Sequence, residues 1–172
     1  SPQQAVESSI RLMKEGAECV KLEGGVVMAE TIQTITRVDI PVVGHIGLTP
    51  QSSGQLGGHK AQGRTAETAK LLVEDALAVQ AAGAKMILVE SVPPEVMKYI
   101  WETLDIPVLS IGAGPHCDGQ LLIVSDLIGQ AGIDAKINNH DAGSFKDEPL
   151  MLATSQAGGY PGLKGLGGAN DP

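Results

Sequence analysis

The sequence predicts an α/β protein, a partial (β/α)8 TIM barrel, and three observations carry that prediction. First, short apolar runs rich in β-branched residues alternate with stretches of helical period, as in a buried parallel sheet flanked by helices. The runs are Cys19-Val20-Lys21-Leu22-Glu23, Ile40-Pro41-Val42-Val43 followed by Gly44-His45, Lys85-Met86-Ile87-Leu88-Val89-Glu90, and Pro107-Val108-Leu109-Ser110-Ile111. Second, the first three runs end on ionisable side chains. Parallel strands share one C-terminal rim, so Lys21, Glu23, His45 and Glu90 are expected to converge where barrel enzymes keep their active sites. Third, four strands make roughly half of a barrel, a fold that typically needs ~250 residues. The chain has 172 residues and opens on a helical pattern. Strands preceding Ser1 are therefore expected, with a smaller open sheet as the alternative.

Each element has a local reason. Ser1-Pro2-Gln3-Gln4 reads as a helix start, with Ser1 as cap, Pro2 in the first turn and Gln4 completing a capping box. Val6, Ile10 and Met13 then share a face, and Gly16 is a stop. A strand is expected at about 18–23, and a helix near 26–37 with Met28, Ile32 and Ile35 on one stripe. The second strand covers about 40–44.

Residues 46–64 carry six punctuating Gly and Pro positions and neither period, a length that in compact domains usually means function or disorder. A substrate-covering loop is expected there. A helix at about 66–82 buries Ala69, Leu72, Val73, Ala76 and Val79 and ends at Gly83. The strand 85–90 follows. Pro93-Pro94 opens a helix packing Val96, Met97, Ile100 and Leu104, and the strand 107–111 runs into Gly112-Ala113-Gly114. Residues 120–128 fit a short helix or a short strand equally. Beyond Gly129 the chain turns Gly-, Asn- and Asp-rich, so two regions are expected: a barrel part over 1–129 and a loosely structured tail over 130–172.

Composition narrows the function. Hydrophobic content is 42%, and no apolar run approaches the ~18 residues of a membrane span, nor does the N-terminus resemble a signal peptide. A net charge of −8 argues against nucleic acid, since phosphate binding needs a basic face. Four aromatic residues offer no base-stacking platform. Cys19 and Cys117 form no C-x-x-C pair and read as buried, reduced thiols of a cytoplasmic protein.

The rim candidates each have two readings. Glu90 ends an apolar strand, where a carboxylate is either a usable base or a cap for the helix beginning at Pro93-Pro94. Lys21 and Glu23 are two apart and project to one face of a strand. They could hold an anionic substrate and a divalent cation, or simply pair with each other. Gly24-Gly25 beside them would let the backbone approach a ligand. His45 is either part of the site or a structural histidine donating a hydrogen bond within a loop. H-E-x-x-H, Walker, G-x-S-x-G and C-x-x-C motifs are absent, and Gly112-Ala113-Gly114 is a weak fragment of a dinucleotide loop.

Taken together, several stretches resemble the ketopantoate hydroxymethyltransferase (3-methyl-2-oxobutanoate hydroxymethyltransferase) family. They are Val20-Lys21-Leu22-Glu23-Gly24-Gly25, Pro41 through Gln51, Gly57 through Arg64, Ala84 through Pro93, and Ile111-Gly112-Ala113-Gly114 with Asp118-Gly119-Gln120 close behind. Order and spacing fit over residues 1–129, and Tyr160-Pro161-Gly162 is similar to the family's C-terminal end. The resemblance implies a barrel of the phosphoenolpyruvate-mutase type and a step in pantothenate synthesis. A hydroxymethyl group would pass from methylenetetrahydrofolate to 3-methyl-2-oxobutanoate, giving 2-dehydropantoate through a metal-stabilised enolate. By matching position it implies Glu90 as catalytic base, Lys21 and His45 at the substrate, and Glu23 at a site for Mg2+ or another divalent cation. It further implies a homo-oligomer. The alternatives are a lyase or mutase of the same superfamily, or a catalytically silent barrel piece serving as an assembly or regulatory subunit.

Overall fold

The computed structural model describes residues 1–52 and 61–123. The tail expected over 130–172, and residues 53–60 of the segment expected to cover the substrate, lie outside the described residues. Five parallel strands form one sheet in the order of the chain: β1 (Val20–Glu23), β2 (Val42–Gly47), β3 (Met86–Glu90), β4 (Val108–Ile111) and β5 (Gly119–Gln120). Between them run α2 (Ala29–Thr36), α3 (Ala66–Ala81) and α4 (Pro94–Thr103), with α1 (Pro2–Lys14) ahead of β1. Strand order follows sequence without reversal, which is how a barrel wall is wound. Doubly wound sheets instead reverse at a switch point.

The register fixes the two faces. Glu23 is level with His45, His45 with Leu88, and Gly47 with Glu90. Side chains alternate along a strand, so Lys21, Glu23, Val43, His45, Leu88 and Glu90 share one face. Val20, Val42, Ile46, Ile87, Val89 and Val108 lie on the other. There they join Ile32 and Ile35 of α2, Leu72, Ala76 and Val79 of α3, and Met97 and Ile100 of α4 in the hydrophobic core. The apolar core is thus on the helix side, and ionisable residues have the opposite face.

Helix ends follow local chemistry. Ser1 caps α1 by accepting from the Gln4 N–H, but no reciprocal bond from the Gln4 side chain completes the expected box. The box forms instead on α3, where Thr65 and Thr68 exchange side-chain and backbone bonds. On α1, Ala5, Val6 and Met13 reach the core while Ile10 is 38% exposed, so the expected face is only partly buried.

Three further expectations need correction. A fifth strand extends the expected four: Gly119 and Gln120 pair with Leu109 and Ser110, resolving part of the 120–128 ambiguity as strand. The loop Gly112-Ala113-Gly114 leads into β5 and opens no helix among the described residues, so the dinucleotide-loop reading fails: Ser110 Oγ accepts from the Ala113 N–H and donates to the Gly114 carbonyl. Cys19 is exposed just ahead of β1 rather than buried, and Cys117 is half-buried; no disulfide joins them. No helix among the described residues is long and apolar enough to cross a membrane.

Candidate active site

Three of the four rim residues meet. His45 does not stand in a loop, as the sequence suggested, but inside β2, because the strand runs through Gly44 and on to Gly47. Its neighbours β1 and β3 bring Glu23 and Glu90 to either side. His45 Nδ1 lies 3.5 Å from Glu23 Oε1, and Nε2 lies 3.0 Å from Glu90 Oε2. The imidazole is 2% exposed, against 9% for the Glu23 side chain and 17% for Glu90. Although the second separation is of hydrogen-bond length, neither ring nitrogen has an aligned partner among the described residues. The contacts are therefore close approaches of polar groups rather than directed hydrogen bonds.

Backbone donors hold the Glu23 carboxylate and the main chain of Glu90. Glu23 Oε2 accepts from the Gln51 N–H at 3.0 Å, in the short 3-10 turn Pro50–Ser52 that follows β2. The Glu90 carbonyl accepts from the Leu48 N–H at 2.8 Å. That approach needs a glycine at position 47, where φ is +88° and a Cβ would run into the Glu90 carbonyl oxygen. Ser91, directly after Glu90, has φ +51°, a conformation side chains seldom adopt. It is held there by its N–H on the Ile111 carbonyl and its own carbonyl under the Gln62 N–H.

Glu90 does not cap α4, whose N-cap is Pro93 with no side-chain bond. Lys21 does not pair with Glu23; it is exposed, on the same face, with no ion-pair partner among the described residues. The fold itself requires a glycine at position 25. A Cβ there would collide with the Asp75 carboxylate, which accepts from the Val26 N–H at 2.8 Å and ties the β1 loop to α3. Sequence reasoning missed Gly47, Ser91 and the Gln51 N–H. An S-x-P-P string after a strand-end glutamate was a usable signal for Ser91, whereas the Gln51 contact left none.

A cation of the magnesium kind takes one or two carboxylates and keeps water. Glu23, a hard oxygen donor at the rim, suits it as one ligand. Among the described residues no group of three or more His, Cys, Asp or Glu is arranged to hold a metal by itself.

Sequentially ordered parallel βα units, with two carboxylates and an imidazole at adjacent strand ends, define a chain of the (β/α)-barrel class with a polar C-terminal rim. Residues 1–142 match the ketopantoate hydroxymethyltransferase family, and the chain belongs to it. It is 60% identical over 131 residues to the 3-methyl-2-oxobutanoate hydroxymethyltransferase of Alkaliphilus metalliredigens (strain QYMF), covering 76% of this chain and 46% of that protein. Against the protein of that name from Erwinia tasmaniensis the identity is 51% over 132 residues, 77% of this chain and 50% of the relative. The Vibrio vulnificus (strain YJ016) protein of the same name aligns over 166 residues at 48% identity, 94% of this chain and 63% of the relative. The chain thus spans about half the length of the relatives it matches.

Proposed function

We propose that the protein carrying this chain transfers a hydroxymethyl group from methylenetetrahydrofolate to 3-methyl-2-oxobutanoate, forming 2-dehydropantoate for pantothenate synthesis. The observation that carries this reading is the gathering of Glu23, His45 and Glu90 on one sheet face, at the end where strands of this architecture expose their chemistry. In the proposed reaction Glu90 removes the proton from the substrate carbon beside the keto group, leaving an enolate. That carbon forms a bond to the one-carbon unit, both bonds from that unit to the folate nitrogens break, and water supplies the hydroxyl; the proton taken by Glu90 and the second proton of the water pass to the two nitrogens.

Lys21 supports the reading as an exposed cation on the same face, available to the keto acid's carboxylate. Glu23 would help hold a magnesium-type cation, which when bound supplies electrostatic stabilisation for the negative charge developing on the substrate. Glu90, set on another strand, stays free to act as a base. A base that also ligated the cation would lose its affinity for protons. A homo-oligomer in the cytoplasm belongs to the same proposal, and sedimentation of the purified protein checks the oligomeric part.

The test is exchange of the substrate's C–H in deuterated water, followed by proton NMR in the protein carrying this sequence. Glu90→Gln is expected to slow exchange by about 10²–10⁴-fold, the usual worth of a positioned base. Calorimetric affinity for 3-methyl-2-oxobutanoate should persist. Exchange at the parent rate in Glu90→Gln would remove the reading.

A further inference from the structure

His45 is the most deeply buried ionisable side chain of the rim, and both its nitrogens lack an aligned partner among the described residues. Burying polar atoms without directed hydrogen bonds is unfavourable, and such groups in a native fold call for a reason. Packing is not the reason, since an apolar side chain would fill the space without that penalty. Direct contact with substrate is not favoured either: each polar edge already faces a carboxylate, and almost none of the ring is accessible.

What the ring does occupy is the gap between two strands that are second neighbours. β1 and β3 stand on either side of β2, roughly 10 Å apart at the ~4.8 Å spacing of a sheet. Two glutamates leaning inward across an empty β2 position could meet at one cation. With the imidazole present, Glu23 and Glu90 each stop against a different edge of it. An apolar wedge would also separate them but would leave both carboxylates against hydrocarbon. Imidazole separates them and still offers each a polar edge.

We infer that His45 is a positioning residue, a spacer that keeps Glu90 off the cation held by Glu23 so that Glu90 remains a base. The inference rests on the proposed function and goes beyond it by assigning His45 to the separation of two carboxylates instead of to the substrate.

The experiment uses Mn2+ as the probe cation, with affinity read by electron paramagnetic resonance, alongside C–H exchange and thermal melting. In His45→Ala, exchange is expected to fall about 100-fold, the scale of a misplaced catalytic group. Mn2+ should bind as tightly as in the parent or more tightly, because Glu90 can now reach it. Adding Glu90→Gln to His45→Ala should remove any affinity gained. If His45→Ala does not melt cooperatively, His45→Gln is read by the same measurements, since its amide fills part of the gap. Weaker Mn2+ binding in the variant overturns the inference, and so does keto-acid affinity lost in step with exchange, which would make His45 a substrate ligand. Parent-rate exchange in the variant overturns it as well. None of these results touches the proposed function, which falls separately if Glu90→Gln in the parent exchanges normally.

Discussion

Two groups of buried polar side chains in this sheet are treated in opposite ways. At the β4–β5 end, Ser110 is fully buried on the helix side, and its hydroxyl both donates to Gly114 and accepts from Ala113. Gln120 Nε2 donates to the same Gly114 carbonyl at 2.9 Å. Asp118 accepts from the Val108 N–H at 2.8 Å and from the Trp101 indole at 3.1 Å. These bonds turn the chain from β4 into β5 without an intervening helix. At the β1–β3 rim the imidazole of His45 is as buried as Ser110 but has no aligned hydrogen bond. Satisfied polar groups hold a turn in place. The unsatisfied nitrogens of His45, set between two carboxylates, are a departure from that rule kept at some cost in stability.

Substitutions can break that contrast or sharpen it. The largest effect is expected from Gly47→Ala, which adds a Cβ against the Glu90 carbonyl at a positive φ. Denaturant titration should show a loss of about 3 kcal/mol, and exchange should fall with it because Glu90 is displaced. Asp118→Ala should cost about 2 kcal/mol by orphaning the Val108 N–H, while exchange per folded molecule stays at the parent rate. A matching fall in that rate would mean the two groups are not separate.

Glu23→Gln is the converse case. The amide oxygen can still accept from Gln51, so the melting temperature should hold or rise while Mn2+ affinity drops at least ~10-fold. A melting temperature several degrees lower would show that Glu23 serves the fold. The smallest effect is expected for Thr65→Ala, remote from both groups. Loss of the capping box on α3 should cost about 1 kcal/mol in chemical denaturation and leave Mn2+ binding unchanged.

The sequence made the strands and helices of the βα units legible because their apolar periods are long enough to read. β1 through β4 and all four helices were readable to within a few residues. β5 was not, since two residues carry no period, and its pairing depends on Asp118 and Ser110 organising the turn before it. The placement of His45 was misjudged for a related reason. Gly44 and Gly47 look like punctuation, yet one lies flat against Val79 of α3 and the other admits the Glu90 carbonyl, so the strand continues through both. The ionisable ends of β1 and β3 were legible because a carboxylate closing an apolar run is unusual whatever follows. The Gln51 amide on the Glu23 carboxylate and the Leu48 amide on the Glu90 main-chain carbonyl could not be read, because backbone donors have no sequence signature.

The strict alternation of β2 also bears on how this chain tolerates change. Point substitutions at His45 alter the rim and leave Val42, Gly44 and Ile46 against the helices. A single codon inserted upstream of it within the strand would turn the imidazole into the oily layer beside Val79 and push an aliphatic side chain out to the mouth. Descendants of this gene can therefore retune the rim letter by letter, but length changes must be confined to the loops.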